Sequence, residues 1–208
     1  MYKFNLPNTT IVNRFLPKKI FEEKIKNGKK IFENINRITL IHKLSSKSIN
    51  TSETKSIKEI LIIEIQVKKK VIPKEAVKNI SKLINSPILY KIVYEDEFCF
   101  AIFSLDFSKQ FFSSWNEKKE FNFSDINLEK IYENIIKSFL NLKDIKLNFT
   151  ELLKKEQEIK TLKEQIQALE NKIKKQTVFK KQLELSRILK PLEIKLENEL
   201  IIIQKEEN

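Results

Sequence analysis

Three polar side chains near the middle of the chain have the residue types and spacing of one half of a metal-dependent nuclease site. Glu64, Gln66 and Lys68 alternate along one face of a predicted strand, and restriction-type nucleases hold Mg²⁺ with an acid or Gln two residues before a Lys. The other half needs an acid on the preceding strand, whereas Glu53 and Glu59 lie in or beside a predicted loop. Polar residues on the exposed face of a strand give the same alternation. These three residues are the catalytic candidates of an alternative, nuclease hypothesis.

The sequence lacks the residues that other common catalytic sites require. With Gly28 as the only glycine, the chain cannot contain a Walker A loop, a dinucleotide fingerprint or a Gly-x-Ser-x-Gly elbow. One histidine, His42, and one cysteine, Cys99, cannot assemble a zinc site of the usual type. We expect His42 to have a structural or surface role and Cys99 to be a buried, poorly nucleophilic thiol. We therefore predict no catalytic residues, no metal and no cofactor.

Lysines dominate the charge of the chain and suggest an anionic partner. The net charge is +12, and residues 151–208 hold 13 basic and 11 acidic side chains, so most of the excess belongs to residues 1–150. Lysine contacts phosphate but reads bases poorly, so DNA binding would be independent of sequence. A solvated lysine-rich face is the competing interpretation. The candidate DNA-binding residues are Lys18, Lys19, Lys24, Lys26, Lys29, Lys30, Lys68, Lys69 and Lys70.

The segments that would position this chemistry are predicted strands on either side of one helix in the sequence. In residues 59–68 the odd-numbered apolar residues share one face, and Ile60, Ile62 and the polar trio share the other. Pro73 opens a helix to Asn85, and strands follow at 88–94 and 98–107. This order predicts a β-α-β-β unit in a mixed sheet with helices on one side, an α+β fold.

The flanking segments complete a predicted body over residues 1–148. Residues 5–17 form an extended lead-in, residues 18–34 have helical spacing that Gly28 weakens, and residues 37–43 alternate as a strand. A polar loop follows from Ser45 to Lys58. Asp125 is a candidate cap for a helix over 127–142.

Residues 149–208 form a predicted helical arm with coiled-coil spacing. Apolar residues follow steps of three and four up to Ile173, but Gln176 and Lys180 would occupy the next seam positions. The apolar series then restarts out of phase near Pro191, which predicts a bend, a stutter or a helical hairpin. The candidate partner-binding residues are Leu152, Ile159, Leu162, Ile166, Leu169, Ile173, Phe179, Leu185 and Leu189.

The predicted localisation is based on the absence of long apolar segments from the sequence. No stretch reaches the roughly 18 uninterrupted apolar residues of a membrane-spanning helix, and the first residues lack a signal-peptide core. We expect a soluble, cytoplasmic protein without a membrane partner. The arm would dock to a protein partner or to a second copy, or it would fold back within the chain.

Dispersed residues along nearly the whole chain resemble a bacterial family known as domain of unknown function 4391. None of them forms a catalytic signature, and where the family often has a Trp this chain has Ile41 or His42. The residues that carry the resemblance are Leu6-Pro7 to Thr10, Val12-Asn13, Pro17-Lys18, Lys43-Leu44-Ser45, Ile60 to Val67, Pro87-Ile88-Leu89, Trp115, Leu128 to Tyr132, Gln176, Phe179 and Glu184-Leu185.

This resemblance implies an accessory role in DNA-related defence. Such proteins look like members of bacterial restriction or phage-defence gene clusters that also encode Swi2/Snf2-type helicases and DNA methyltransferases. The leading hypothesis is therefore a non-enzymatic subunit that docks to a helicase or methyltransferase through the arm and contacts DNA through body lysines. The alternatives are the nuclease described above and a stand-alone nucleic-acid-binding protein.

Overall fold

The computed structural model describes residues 2–140 and 148–206, with side chains up to residue 200. The chain divides into two compact units, and the boundary along the sequence falls between Phe139 and Leu140. The first unit is a mixed α/β body and the second contains two long helices, which confirms the predicted α+β class. No helix of the described residues is long and apolar enough to span a membrane.

The body is built on a six-stranded sheet in which the strands follow one another in chain order. All neighbours are antiparallel except β3 and β4, which are parallel. A parallel pair needs a crossover, and helix α4 (Lys74–Ile84) provides it, so the predicted β-α-β-β unit is confirmed. The strands are β1 (Ile11–Phe15), β2 (Ile35–Ser45), β3 (Glu59–Val67), β4 (Ile88–Tyr94), β5 (Glu97–Phe103) and β6 (Gln110–Phe112).

Helices and side chains cover both faces of the sheet, so the prediction of helices on one side is wrong. The odd-numbered residues Leu61 to Val67 of β3 join one core with the first helices and α4. Ile60 and Ile62 point the opposite way and are fully buried, and α5 contacts β3. The body helices are α1 (Lys18–Glu22), α2 (Gly28–Ile31), α3 (Ser46–Ile49), α4 (Lys74–Ile84) and α5 (Leu128–Lys137).

The single helix expected over residues 18–34 is instead two short helices, α1 and α2. Asn27 between them has a left-handed backbone conformation with φ of 59°, which interrupts the helical path. Gly28 starts α2 with its backbone packed directly against that of Glu22. The Gly that only weakened the predicted helix therefore marks a reversal of the chain.

Three other boundaries differ from the predicted ones for local reasons. Strand β5 ends at Phe103, and a turn leads into the unpredicted strand β6. The cap of α5 is Asn127, which accepts a hydrogen bond from the Lys130 amide, and not Asp125. Asp125 instead accepts from Ile126 N and from the Asn134 amide. The loop after β2 contains the short helix α3. Helix α5 ends at Lys137, with Ser138 as its C-cap, so it is shorter than predicted, and the predicted end at residue 142 itself lies outside the described residues.

The second unit is a pair of packed helices, α6 (Phe149–Lys175) and α7 (Phe179–Glu206). Lys155 near the start of α6 forms an ion pair with Glu199 near the end of α7, so the helices run antiparallel as a hairpin. The break falls at Gln176, whose backbone is extended, as the loss of apolar register predicts. Pro191 lies inside α7 and does not end it. Supercoiling of the two helices remains a prediction.

Candidate functional site

Glu64 is paired with a lysine that the sequence interpretation had not selected. Lys91 lies beside it on β4, with its Nζ 2.9 Å from Glu64 Oε2 and 3.3 Å from the carbonyl oxygen of Tyr2. The side chains of Lys91 and Glu64 are only 5% and 13% exposed. The charge of Glu64 is therefore compensated within the body, and the face of β3 that carries it is covered rather than exposed.

The other two nuclease candidates do not complete a site around Glu64. Gln66 is half-buried and lies beside Val93 of β4, and Lys68 is exposed just beyond the end of β3. Four residues of extended chain separate Lys68 from Glu64 by about 13 Å. Among residues 2–140 and 148–206, no group of three or more His, Cys, Asp or Glu side chains could hold a metal ion.

Aromatic rings cover the face that holds Glu64 and Lys91. The ring of Tyr2 packs against Phe4, Phe98 and Phe100, with ring centroids 4.8 to 5.5 Å apart. Phe121 extends this cluster and contacts Phe100 at 5.0 Å. The beginning of the chain therefore lies across the ion pair and excludes water from it.

His42 and Cys99 have the environments of structural residues. The Nδ1 atom of His42 lies 2.9 Å from the hydroxyl of the buried Thr10, and burial lowers the pKa of the imidazole. Cys99 is fully buried, and burial raises the pKa of its thiol to about 12. The Cys99 thiol therefore stays protonated at neutral pH and is a poor nucleophile, and the Nδ1 atom of His42 is engaged by Thr10.

The fold brings together two lysine runs that are far apart in the sequence. Asn34, just after α2, accepts a hydrogen bond from the Lys69 amide at 2.9 Å, and its backbone oxygen accepts from Lys68 N at 2.8 Å. We call Lys29, Lys30, Lys68 and Lys69, which flank this junction and are exposed, the basic surface. Within the described residues these four lysines form no ion pair, so their charges remain available to an anion.

The remaining candidate lysines have different surroundings. Lys18 and Lys19 pair with Glu22 and Glu23 one turn later in the chain, with N–O distances of 3.3 and 3.7 Å. Lys70 pairs with Glu97 at 2.6 Å, and this hydrogen bond lowers the pKa of the Glu97 carboxyl. Lys24 and Lys26 are exposed. The body lysines therefore do not act as one uniform set.

The candidate docking residues of the arm divide by burial. Leu152, Ile159 and Leu162 are buried and so are not available on a free surface. Phe179 is 77% exposed, at the start of α7. The remaining candidates are half-buried, and they are Ile166, Leu169, Ile173, Leu185 and Leu189.

The turn between the two long helices exposes an apolar group within a segment that is rich in lysine. Val178, Phe179 and Leu183 are all exposed, and Leu183 follows Phe179 by one helical turn. No acidic residue occurs between residues 171 and 183. We call residues 172–183 the hairpin tip, and its exposed lysines are Lys172, Lys174, Lys175, Lys180 and Lys181.

Sequence reasoning missed Lys91, Asn34 and Val178. The signal for Lys91 was a single charge in the middle of the apolar strand 88–94, a position that requires a partner. Asn34 carried no local signal, because its partners are more than thirty residues away along the chain.

The chain was compared with protein families, curated proteins and solved structures. Neither the curated proteins nor the solved structures give a match. The family model described as domain of unknown function 4391 matches residues 4–196. The match runs from Phe4 in the first compact unit to Leu196 in α7 of the second. The chain therefore belongs to the family of proteins with domain of unknown function 4391.

Proposed function

We propose that this chain is a non-enzymatic accessory subunit of a bacterial restriction or phage-defence assembly. It docks to a helicase or a DNA methyltransferase through the helical arm, and it contacts DNA through lysines of the body. The observation that carries the proposal is the hairpin tip, in which the exposed Phe179 stands in a segment that also exposes five lysines. The class of partner is taken from the gene-cluster setting that the family resemblance implies.

The chemistry of the hairpin tip supports a protein partner with an acidic rim and an apolar pocket. An exposed Phe gains free energy when a partner buries it, and aromatic anchors of this kind dominate many interfaces. The surrounding lysines attract carboxylates, which speeds encounter and selects acidic surfaces. Leu152, Ile159 and Leu162 are buried and are therefore not free to contact a partner.

The basic surface supports the contact with DNA. Its four lysines come from two segments that Asn34 holds side by side, so their spacing is fixed by the fold. Lysine contacts to phosphate require no particular base. The accessory subunit would therefore hold its partner on DNA without selecting a sequence.

Co-purification with the products of neighbouring genes tests the docking. The tagged full chain should retain a helicase or methyltransferase, and Phe179→Asp should lose it. Ile126→Asp is the matched control, because Ile126 is 75% exposed but belongs to the body. This control should retain the partner. If the wild-type chain retains no neighbouring product, the accessory role is wrong and a stand-alone DNA-binding protein becomes the better explanation.

A further inference from the structure

A groove in the body has an apolar floor and an opening to solvent. It lies between α1, the end of α4 and the first three strands, and has a volume of about 360 Å³. Leu40, Leu61 and Ile63 form its floor on the sheet. Ile20 of α1 and Leu83 of α4 line its sides and are exposed. Leu40, Leu61 and Ile63 are themselves buried, so Ile20 and Leu83 present the accessible apolar surface of the groove.

Four charged side chains also line the groove, and two of them compensate each other. Lys43 and Glu59 form an ion pair across neighbouring strands. Arg14 and Lys24 are exposed, and their side chains form no ion pair or hydrogen bond within residues 2–140 and 148–206. The groove therefore carries two uncompensated positive charges beside an apolar floor.

We propose that this groove binds a small amphiphilic anion, a ligand with a short apolar chain and a carboxylate or phosphate headgroup. Sites for small ligands have volumes of about 300 to 1,000 Å³, are mostly apolar and hold a few polar groups that orient the ligand. The apolar chain packs against the exposed side chains of Ile20 and Leu83, above Leu40 and Leu61 on the sheet, and the anion pairs with Arg14 and Lys24. Arg14 suits either headgroup, because its planar guanidinium can donate two parallel hydrogen bonds.

This site is separate from the docking and DNA-binding surfaces of the proposed function. The hairpin tip belongs to the other compact unit, and the basic surface does not include Arg14 or Lys24. Binding of an amphiphile and binding of a protein partner or DNA can therefore be measured independently. The failure of one proposal leaves the other intact.

Titration calorimetry on the full chain tests the site with four probes of equal chain length, kept below the concentrations at which they aggregate. We expect decanoate or decyl phosphate to bind saturably at one site, with a Kd on the order of tens of micromolar. Decanol and decylammonium should bind at least about tenfold more weakly, because decanol has no negative charge to pair with Arg14 and Lys24 and the positive charge of decylammonium is repelled by them. Whichever of the two anions binds more tightly identifies the headgroup.

Variants show whether the binding occurs in this groove. Arg14→Glu with Lys24→Glu should weaken binding of the anion by about tenfold or more. Lys82→Glu is the matched control on the exposed surface of α4 and should leave binding unchanged. The single variant Lys24→Gln, which keeps a polar side chain at an exposed position, covers the case in which the double variant fails to fold. Absence of saturable binding, equal binding of decylammonium, or unchanged binding by the folded variants would overturn the proposal.

Discussion

Burial of the Lys91 ammonium group costs free energy, and the groups that surround it offset that cost. Its ammonium group donates to Glu64 and to the Tyr2 carbonyl under a layer of aromatic rings. A buried ion pair adds little stability compared with a well-packed apolar pair, but removal of one partner leaves an uncompensated charge. The pair therefore fixes the register of β3 against β4 and holds the beginning of the chain in place.

Lys91→Met should lower the free energy of unfolding by about 3 kcal/mol or more, because Glu64 is then buried without its partner. The double variant Lys91→Met with Glu64→Leu should recover most of that loss, since no charge remains under the rings. Denaturation by urea measures both values. Lys82→Met, at an exposed site on α4, should stay within about 0.5 kcal/mol of the wild type. A similar small change for Lys91→Met would show that water reaches Glu64.

Asp106 makes the stability of the body depend on acid pH. Its carboxylate accepts hydrogen bonds from Ser104 Oγ at 2.6 Å and from the Ser108 hydroxyl and amide, and these bonds lower its pKa from 3.8 to about 2. A pKa that is lowered in the folded state contributes stability above the unfolded value. That contribution should disappear as the pH falls from about 4 to about 2.

Ser104→Ala should raise the pKa of Asp106, because it removes the hydrogen bond that contributes most to the lowered value. A titration of the carboxyl carbon by NMR measures the shift directly. The wild-type chain, titrated under the same conditions, provides the reference. A wild-type Asp106 that titrates near 3.8 would contradict the hydrogen-bonded turn.

Gly28 shows how one residue sets the geometry of two elements. A Cβ at this position would lie 2.2 Å from the carbonyl oxygen of Glu22, so the turn between α1 and α2 requires glycine. We expect Gly28→Ala to lower the free energy of unfolding by about 1 to 3 kcal/mol, because the helices must move apart. Thermal unfolding measures the loss, and Lys29→Ala next to it should have little effect. Unchanged stability in Gly28→Ala would mean that α1 shifts freely.

Asparagine replaces glycine in much of the turn chemistry of this chain. Asn13, Asn27, Asn50, Asn85 and Asn116 all have positive φ in the described part of the chain. Asn85 ends α4, and Asn50 ends α3. Asn tolerates the left-handed region better than most residues, but it is too common in this sequence to mark each turn. The break at Asn27 was therefore not predictable from local pattern alone.

The elements that could be predicted are those with a strong apolar period. The alternation in β3 gave the correct face for its odd-numbered residues, and Pro73 and Pro87 marked the bounds of the crossover. The second covered face was missed because its cover comes from scattered aromatic residues, such as Phe4 and Phe121, outside regular elements. Of the candidate site, the lysine types were predictable, but their juxtaposition at Asn34 depends on contacts distant in sequence.

At the scale of the whole molecule, the net charge of +12 and the basic surface both favour binding to DNA, and their contributions can be measured separately. Positive charge in excess raises nonspecific attraction to any polyanion, so charge alone does not identify a DNA-binding face. If the lysines of the basic surface contact DNA directly, removing them weakens DNA binding more than removing the same charge elsewhere on the protein. Two variants with equal net charge therefore distinguish the two cases.

Replacement of Lys29, Lys30, Lys68 and Lys69 by Gln should weaken binding to duplex DNA. The negative slope of log K against log salt should become shallower by about 3 to 4, because each phosphate contact contributes about 0.9 to its magnitude. The matched control replaces four other exposed lysines by Gln, namely Lys47, Lys55, Lys58 and Lys82. Both variants lose the same charge, so only the first should change the slope by that amount. Fluorescence anisotropy with a labelled duplex at several salt concentrations measures both slopes. Equal slopes in the two variants would show that the lysines near Asn34 act only through the net charge.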